Sequence, residues 1–133
     1  MSAIRTLATG SALAALVAVG VTAAPAASAK GLEVRSAGSC SITSTWKLKA
    51  KADNGRIQVE YEVDSNRVGQ TWAVRILDNG VRVAAGTATT VAPSGSFTFS
   101  RIIPNVAGTD TIVGVATNAA TGETCRGRVV FAG

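Results

Sequence analysis

The chain has 133 residues, with 13 basic and 8 acidic side chains, a net charge of +5 at pH 7 and no histidine. Histidine is the commonest general base and metal ligand, so its absence counts against most hydrolytic and metal-dependent chemistries. The excess of basic residues is also small, and no exposed aromatic residues that could stack on bases accompany it. The sequence therefore does not indicate a protein that binds nucleic acid.

The N-terminal 29 residues have the pattern of a secretory signal peptide. Arg5 supplies a positive start, the apolar run ALAALVAVGV covers Ala12 to Val21, and the small residues Ala27-Ser28-Ala29 follow. The apolar run is too short to span a bilayer, and a small-x-small sequence after it is typical of a signal-peptidase site. We therefore expect residues 1–29 to be removed, and residues 30–133 to be secreted as one domain with no membrane span.

Two cysteines, Cys40 and Cys125, lie near the two ends of the expected mature chain. An even number of cysteines in an exported protein indicates a disulfide. The alternatives are two free thiols or a metal site, but two cysteines without histidine make an incomplete ligand set. The sequence predicts one disulfide that closes nearly the whole domain, and no metal or cofactor.

The first predicted hairpin runs from Thr45 to Asp64, where apolar and polar residues alternate with a period of two. Asn54-Gly55 marks the turn, because this pair tolerates the positive φ angles of a type I′ turn. That turn would set up four cross-strand pairs: Lys49 with Glu60, Lys47 with Glu62, Leu48 with Tyr61, and Trp46 with Val63. We interpret the lysines as a solvated face with compensating charges, rather than as a binding stripe.

The same turn signal recurs at Asp78-Asn79-Gly80, where it would place Ile76 opposite Val83. The stretch SFTFS supplies a further strand, and the stretches TDTIVGVAT and TCRGRVVF flank a last hairpin. The register of that hairpin stays open, since either parity buries valines. Gly114 and Gly127 mark either a bulge or a close packing there.

These elements amount to about seven strands, joined by three tight hairpins and by longer connections at 65–70, 89–94 and 103–109. Tight hairpins keep strands in one sheet, whereas longer connections can cross to another. We therefore predict an all-β fold, a two-sheet antiparallel β-sandwich with strands one, two and five facing strands three, four, six and seven. The apolar parity predicts a core that includes three aromatic residues: Trp46, Trp72 and Phe97.

The hairpin spacing, Trp72 in the third strand, and the stretches SGSFTFS and AGTDTIVGVATNAATGETC resemble a small bacterial immunoglobulin-like or fibronectin type III-like domain. The likeness covers most of Ser41 to Phe131, and the signal peptide resembles those of actinobacterial secreted proteins. Two features differ from the immunoglobulin pattern: the cysteines lie outside strands two and six, and strand six lacks a tyrosine. The resemblance implies an immunoglobulin-like sandwich, but such a fold names no function.

We find no catalytic constellation, because the carboxylates lie in turns or at strand ends, or face lysines, and we expect the protein not to be an enzyme. The leading hypothesis is a secreted, non-catalytic binding or interaction module, monomeric, acting at the cell envelope or on an extracellular partner. One alternative is a secreted enzyme inhibitor that presents the loop at 64–70 or 103–108. Another is a carrier of a small apolar ligand, resembling the sandwich-shaped apoproteins of antibiotic chromoproteins.

The candidate site consists of four arginines in strands three, four and seven: Arg75, Arg82, Arg126 and Arg128. No carboxylate shares their parity within those strands. If the last strand buries Cys125, Val129 and Phe131, all four arginines face solvent on one sheet. Guanidinium groups suit phosphate and carboxylate ligands, so we expect either an anionic envelope polymer or an acidic protein as the partner. The alternative is that the arginines only keep the sheet soluble.

Overall fold

The computed structural model describes residues 31–133, which form eight strands and no helix. The strands are β1 (Glu33–Ser39), β2 (Thr45–Asp53), β3 (Arg56–Asp64), β4 (Thr71–Asp78), β5 (Val81–Thr89), β6 (Ser96–Pro104), β7 (Asp110–Asn118) and β8 (Glu123–Phe131). The predicted signal peptide and its cleavage site lie outside the described residues. Within those residues there is no helix with the length and apolar character needed to cross a membrane.

Two antiparallel sheets of four strands make up the fold. Sheet I has the order β1-β2-β3-β6, and sheet II has the order β5-β4-β7-β8. The predicted β-sandwich and its division of strands are confirmed, since predicted strands one, two and five are β2, β3 and β6. Strand β1 was missed because its sequence EVRSAGS is rich in small and charged residues. It forms by pairing along its whole length with β2.

The first hairpin has the predicted register. Asn54 and Gly55 adopt positive φ angles of 49° and 80°, and all four predicted cross-strand pairs are present. The Nζ atom of Lys49 lies 3.4 Å from Oε2 of Glu60, which is a direct ion pair. Turn chemistry and hydrophobic alternation therefore sufficed to determine this part of sheet I.

The predicted register of the second hairpin is wrong by one residue. Ile76 pairs with Ala84 rather than with Val83, because the register shifts between Ile76 and Leu77. A regular strand turns only one of two neighbouring side chains toward the core. The bulge lets both Val83 and Ala84 pack against the core.

Aromatic side chains from both sheets meet in the core, as predicted for Trp72 and Phe97. Both are buried, and their ring centroids lie 6.2 Å apart at an angle of 52°. The prediction for Trp46 is wrong in degree, since this side chain is only half-buried at the margin of the core. It lies near the end of β1 and the start of β2, where its ring packs against Gly38 and Gly127.

Gly114 and Gly127 mark close packing, and they pair with each other across β7 and β8. A Cβ atom on Gly127 would lie 2.5 Å from Cζ3 of Trp46, and one on Gly114 would lie 2.9 Å from Cδ2 of Tyr61. Two aromatic rings of sheet I thus rest directly on the backbone of sheet II. Gly114 and Gly127 therefore lie on the inner face of sheet II, and this decides which parity of the last hairpin is buried.

We expect Gly127→Ala to lower the free energy of unfolding by about 1–3 kcal/mol, because the added methyl group overlaps the Trp46 ring. Urea denaturation would measure the change. In a Trp46→Leu background the same substitution should cost much less, since the smaller side chain leaves room for the methyl group. An equal cost in both backgrounds would show that the ring does not pack on Gly127.

The predicted disulfide is present and links the edges of the two sheets. Cys40 follows β1, Cys125 lies in β8, and their sulfur atoms are 2.06 Å apart. On the same seam, the hydroxyl of Ser36 donates a hydrogen bond of 2.7 Å to the backbone oxygen of Arg128. The bond and the bridge together hold β1 against β8. Such a disulfide is typical of proteins that fold in an oxidising compartment.

Candidate anion-binding face

The four predicted arginines all lie exposed on the outer face of sheet II. The sequence predicted this exposure on the condition that the last strand buries Cys125, Val129 and Phe131. All three side chains of β8 are indeed buried in the core. The outer residues of β8 between them are therefore Arg126 and Arg128. We call this surface, with Arg75, Arg82, Arg126 and Arg128, the arginine face.

Strand pairing arranges the arginine face in two rows. In one row Val115 lies between Arg75 on β4 and Arg126 on β8, as its direct neighbour on each side. Adjacent strands are about 4.8 Å apart, so the Cα atoms of these two arginines are about 10 Å apart. The second row runs across all four strands in the order Arg82, Leu77, Val113 and Arg128.

Val115, between the two arginines of the first row, is buried although it points outward. The alternation along β7 turns Ile112, Gly114 and Ala116 inward and Val115 outward. Only 3% of the surface of Val115 is nevertheless exposed. Long side chains can lay their methylene stems over an apolar surface and keep the charged group in water. The lateral neighbours Arg75 and Arg126 are the side chains placed to do so. Arg75 and Arg126 thus flank one buried valine on the outer face of sheet II.

The arginine face contains no carboxylate. Its other outward residues are Thr71, Ala73, Leu77, Ala85, Thr87, Thr89, Thr111, Val113, Val115, Thr117, Thr124 and Val130. The ion pairs found within residues 31–133 join side chains of sheet I. The four arginines thus have no ionic partner in the described part of the chain, and threonine hydroxyls border them.

The outer face of sheet I differs in its charge balance. A groove of about 400 Å³ crosses it, with Lys47 and Lys49 on one side and Glu60 and Glu62 on the other. Lys49 and Glu60 are both partly buried and pair directly. Because the charges compensate within the groove, we keep the interpretation of this surface as a solvated face.

Glu123 is a polar residue that sequence reasoning left at a strand end without a role. Its buried carboxylate accepts hydrogen bonds from the backbone N–H groups of Ile42, Thr43 and Ser44, at 2.8–3.0 Å, and from the Ser44 hydroxyl at 2.6 Å. Burial acts to raise the pKa of Glu123, but these hydrogen bonds outweigh it and hold the pKa below its usual value. The carboxylate thus fixes the loop beside the disulfide and does not neutralise the arginine face. The sequence contained one signal for the burial of Glu123: in β8 this residue has the same parity as the buried Cys125.

The two loops predicted for an inhibitor lie at opposite ends of the sandwich and are not brought together. The loop at 65–70 is anchored to Thr90, whose backbone oxygen accepts from Gly69 N at 2.8 Å and whose hydroxyl accepts from Gln70 N at 2.9 Å. Val68 is exposed in this loop. The loop is therefore held at its base and open to solvent.

Within residues 31–133, no cluster of three or more histidine, cysteine, aspartate or glutamate side chains is placed to hold a metal ion. No protein-family model, curated protein or solved structure matches this chain. The candidate site is therefore assigned from the geometry and the charge of its own residues.

Proposed function

We propose that the protein is a secreted, non-catalytic binding module, of the immunoglobulin-like or fibronectin type III-like class, that binds an anionic polymer of the cell envelope through the arginine face. The observation that carries this proposal is the exposure, among the described residues, of four unpaired arginines on a face without carboxylates; two of them, Arg75 and Arg126, flank the buried Val115. Its secretion is supported by the signal-peptide pattern and by the disulfide.

The chemistry of the face suits a polyanion. A guanidinium group forms paired hydrogen bonds with phosphate and carboxylate oxygens. Arg75 and Arg126 lie on either side of the same valine with no carboxylate near them in the described part of the chain, so an anion bound between them would offset their mutual repulsion. A polymer offers many such anions on one chain, so several weak contacts add through their high effective concentration.

Changing Arg75, Arg82, Arg126 and Arg128 together to serine should abolish retention of the protein on anionic cell-wall polymer. The melting temperature should fall only slightly, because the four side chains are exposed and the main loss is the cover that Arg75 and Arg126 give Val115. Retention of the unmodified protein should fall steeply with salt, since exposed charges are screened over about 8–10 Å at moderate ionic strength. A co-sedimentation assay at low and moderate salt measures both effects.

The matched control removes the same number of positive charges from sheet I. A variant with Arg35, Lys47, Lys49 and Lys51 changed to serine has the same net charge as the arginine variant. We expect it to be retained like the parent. If both variants lose retention equally, net charge rather than the arginine face is responsible. Equal retention of the arginine variant and the parent at low salt would rule the proposal out.

A secreted enzyme inhibitor is the second candidate, and the anchored loop at 65–70 is the observation that favours it. Arg67 and Val68 are exposed there, while the backbone oxygen of Arg67 accepts a 2.5 Å hydrogen bond from the Thr90 hydroxyl. Loops on a rigid scaffold commonly carry recognition. Incubation with a panel of secreted proteases would test this function separately from polymer retention.

A further inference from the structure

Two aspartates face each other inside one end of the sandwich. Asp78 ends β4 and Asp110 begins β7, and both point inward, with 4% and 0% of their surface exposed. Asp78 pairs with Ile112 across the two strands, which makes Asp110 its diagonal neighbour on the same face. The register and the shared inward direction therefore place the two carboxyl groups next to each other in the core.

Three of the four carboxyl oxygens of the pair lack a hydrogen-bond donor. Both carboxyl oxygens of Asp78 and Oδ1 of Asp110 are buried without a partner among the described residues. Oδ2 of Asp110 accepts one bond, from the backbone N–H of Val106 at 3.2 Å. Ionised carboxylates can only accept hydrogen bonds, so contact between two of them is favourable only when a proton lies between them.

No basic group compensates the pair. The charged groups on the elements around this end are Glu33 on β1, Lys51 and Asp53 on β2, Arg56 on β3, Arg82 on β5, Arg101 on β6, Arg128 on β8 and the C-terminal carboxylate of Gly133. Burial raises the pKa of Asp78 to about 7, with a further contribution from Asp110, and none of those other groups contributes. Arg82 and Arg128 point outward, and the Arg101 guanidinium lies over the Phe99 ring, 3.9 Å from its centroid.

We infer that Asp78 and Asp110 share one proton in the folded protein, and that they form a pH-sensitive latch between the β4–β5 turn and the start of β7. Three hydrogen bonds of Asn79 join the same two segments. Its backbone N–H donates to the Thr111 oxygen at 2.9 Å, its Oδ1 accepts from Thr111 N at 2.9 Å, and its Nδ2 donates to the Thr109 oxygen at 3.1 Å. Release of the proton to water leaves two buried negative charges beside these bonds and weakens the latch.

The direction of the pH effect follows from the raised pKa of Asp78. The group has a pKa of about 7 in the folded protein and 3.8 as an isolated side chain. Between these values the folded state holds a proton that the unfolded state has lost. The stabilisation by the latch is therefore complete below pH 4, falls as the pH rises toward 7, and is absent above the folded pKa.

Thermal unfolding between pH 5 and pH 9 tests the latch. The chain contains no histidine, so no other side-chain type has an ordinary pKa near 7. The melting temperature of the parent should fall by about 5–10 °C between pH 5.5 and pH 8.5. In Asp78→Asn this step should disappear, because the amide stays neutral and donates to Asp110 at every pH. The matched control Asp53→Asn, in the first hairpin, should keep the step.

A second measurement needs no substitution. Carbon-detected NMR of the parent should show the Asp78 carboxyl group titrating near pH 7. A midpoint below pH 5, or a melting temperature that does not change from pH 5.5 to pH 8.5, would overturn the inference. A rise in melting temperature on addition of calcium at pH 8 would also overturn it, because a cation rather than a proton would then neutralise the pair.

Discussion

Reduction of the Cys40–Cys125 disulfide is expected to lower the free energy of unfolding by about 4–5 kcal/mol. The two cysteines are 85 residues apart in the sequence, so the bridge restricts nearly the whole described chain in its unfolded state. Urea denaturation with and without a reducing agent measures the difference. The intact mass of the native protein should be two hydrogens lower than that of the reduced chain.

The double variant Cys40→Ser with Cys125→Ser serves as the control. It should unfold like the reduced parent, and a reducing agent should have no effect on it. If the native protein instead carries two thiols that react with an alkylating agent, the bridge is absent in solution. The seam between β1 and β8 would then depend on hydrogen bonds, such as the one from Ser36 to Arg128 and the two between Ser41 and Thr124.

Trp72→Ala is expected to cost about 3–5 kcal/mol of stability, because the substitution leaves a large cavity in a closely packed core. The Trp72 side chain is fully buried on the inner face of β4 and packs against Phe97. Chemical denaturation, compared at a constant m-value, would give the change in the free energy of unfolding.

Trp72→Phe is the matched control and should cost far less than the alanine substitution. Phenylalanine keeps most of the ring contacts and removes the Nε1–H group, which is buried without a hydrogen-bond partner. A nearly neutral Trp72→Ala variant would mean that β4 turns its other face inward. Arg75 would then be buried, and the proposed anionic site would fail with it.

Much of the fold can be read from the sequence because its determinants are local. A period of two assigns each side chain to one face of a strand, and Asn-Gly at a turn set the register of the first hairpin along its whole length, whereas a bulge shifted that of the second. Those two rules predicted the pairing of Lys49 with Glu60 and the burial of Trp72. They also predicted the exposure of the four arginines, once the parity of Cys125 was assumed.

The sequence predicted only part of the proposed site. Parity placed Arg75 and Arg126 on the same face, but it could not predict that they flank a buried Val115. That burial requires β4, β7 and β8 to lie side by side. A pattern within one strand contains no information about which strand will be its neighbour.

The sequence by itself determined the all-β class, the hairpins, the disulfide partners and the facing of most side chains. Only the tertiary structure decided the pairing of β1, the bulge at Val83, the packing of Trp46 on Gly127 and the contact between Asp78 and Asp110. The physical reason is the range of the interactions. Alternation and turn chemistry act between residues close in sequence, whereas packing across the sandwich depends on which distant side chains fill the same space.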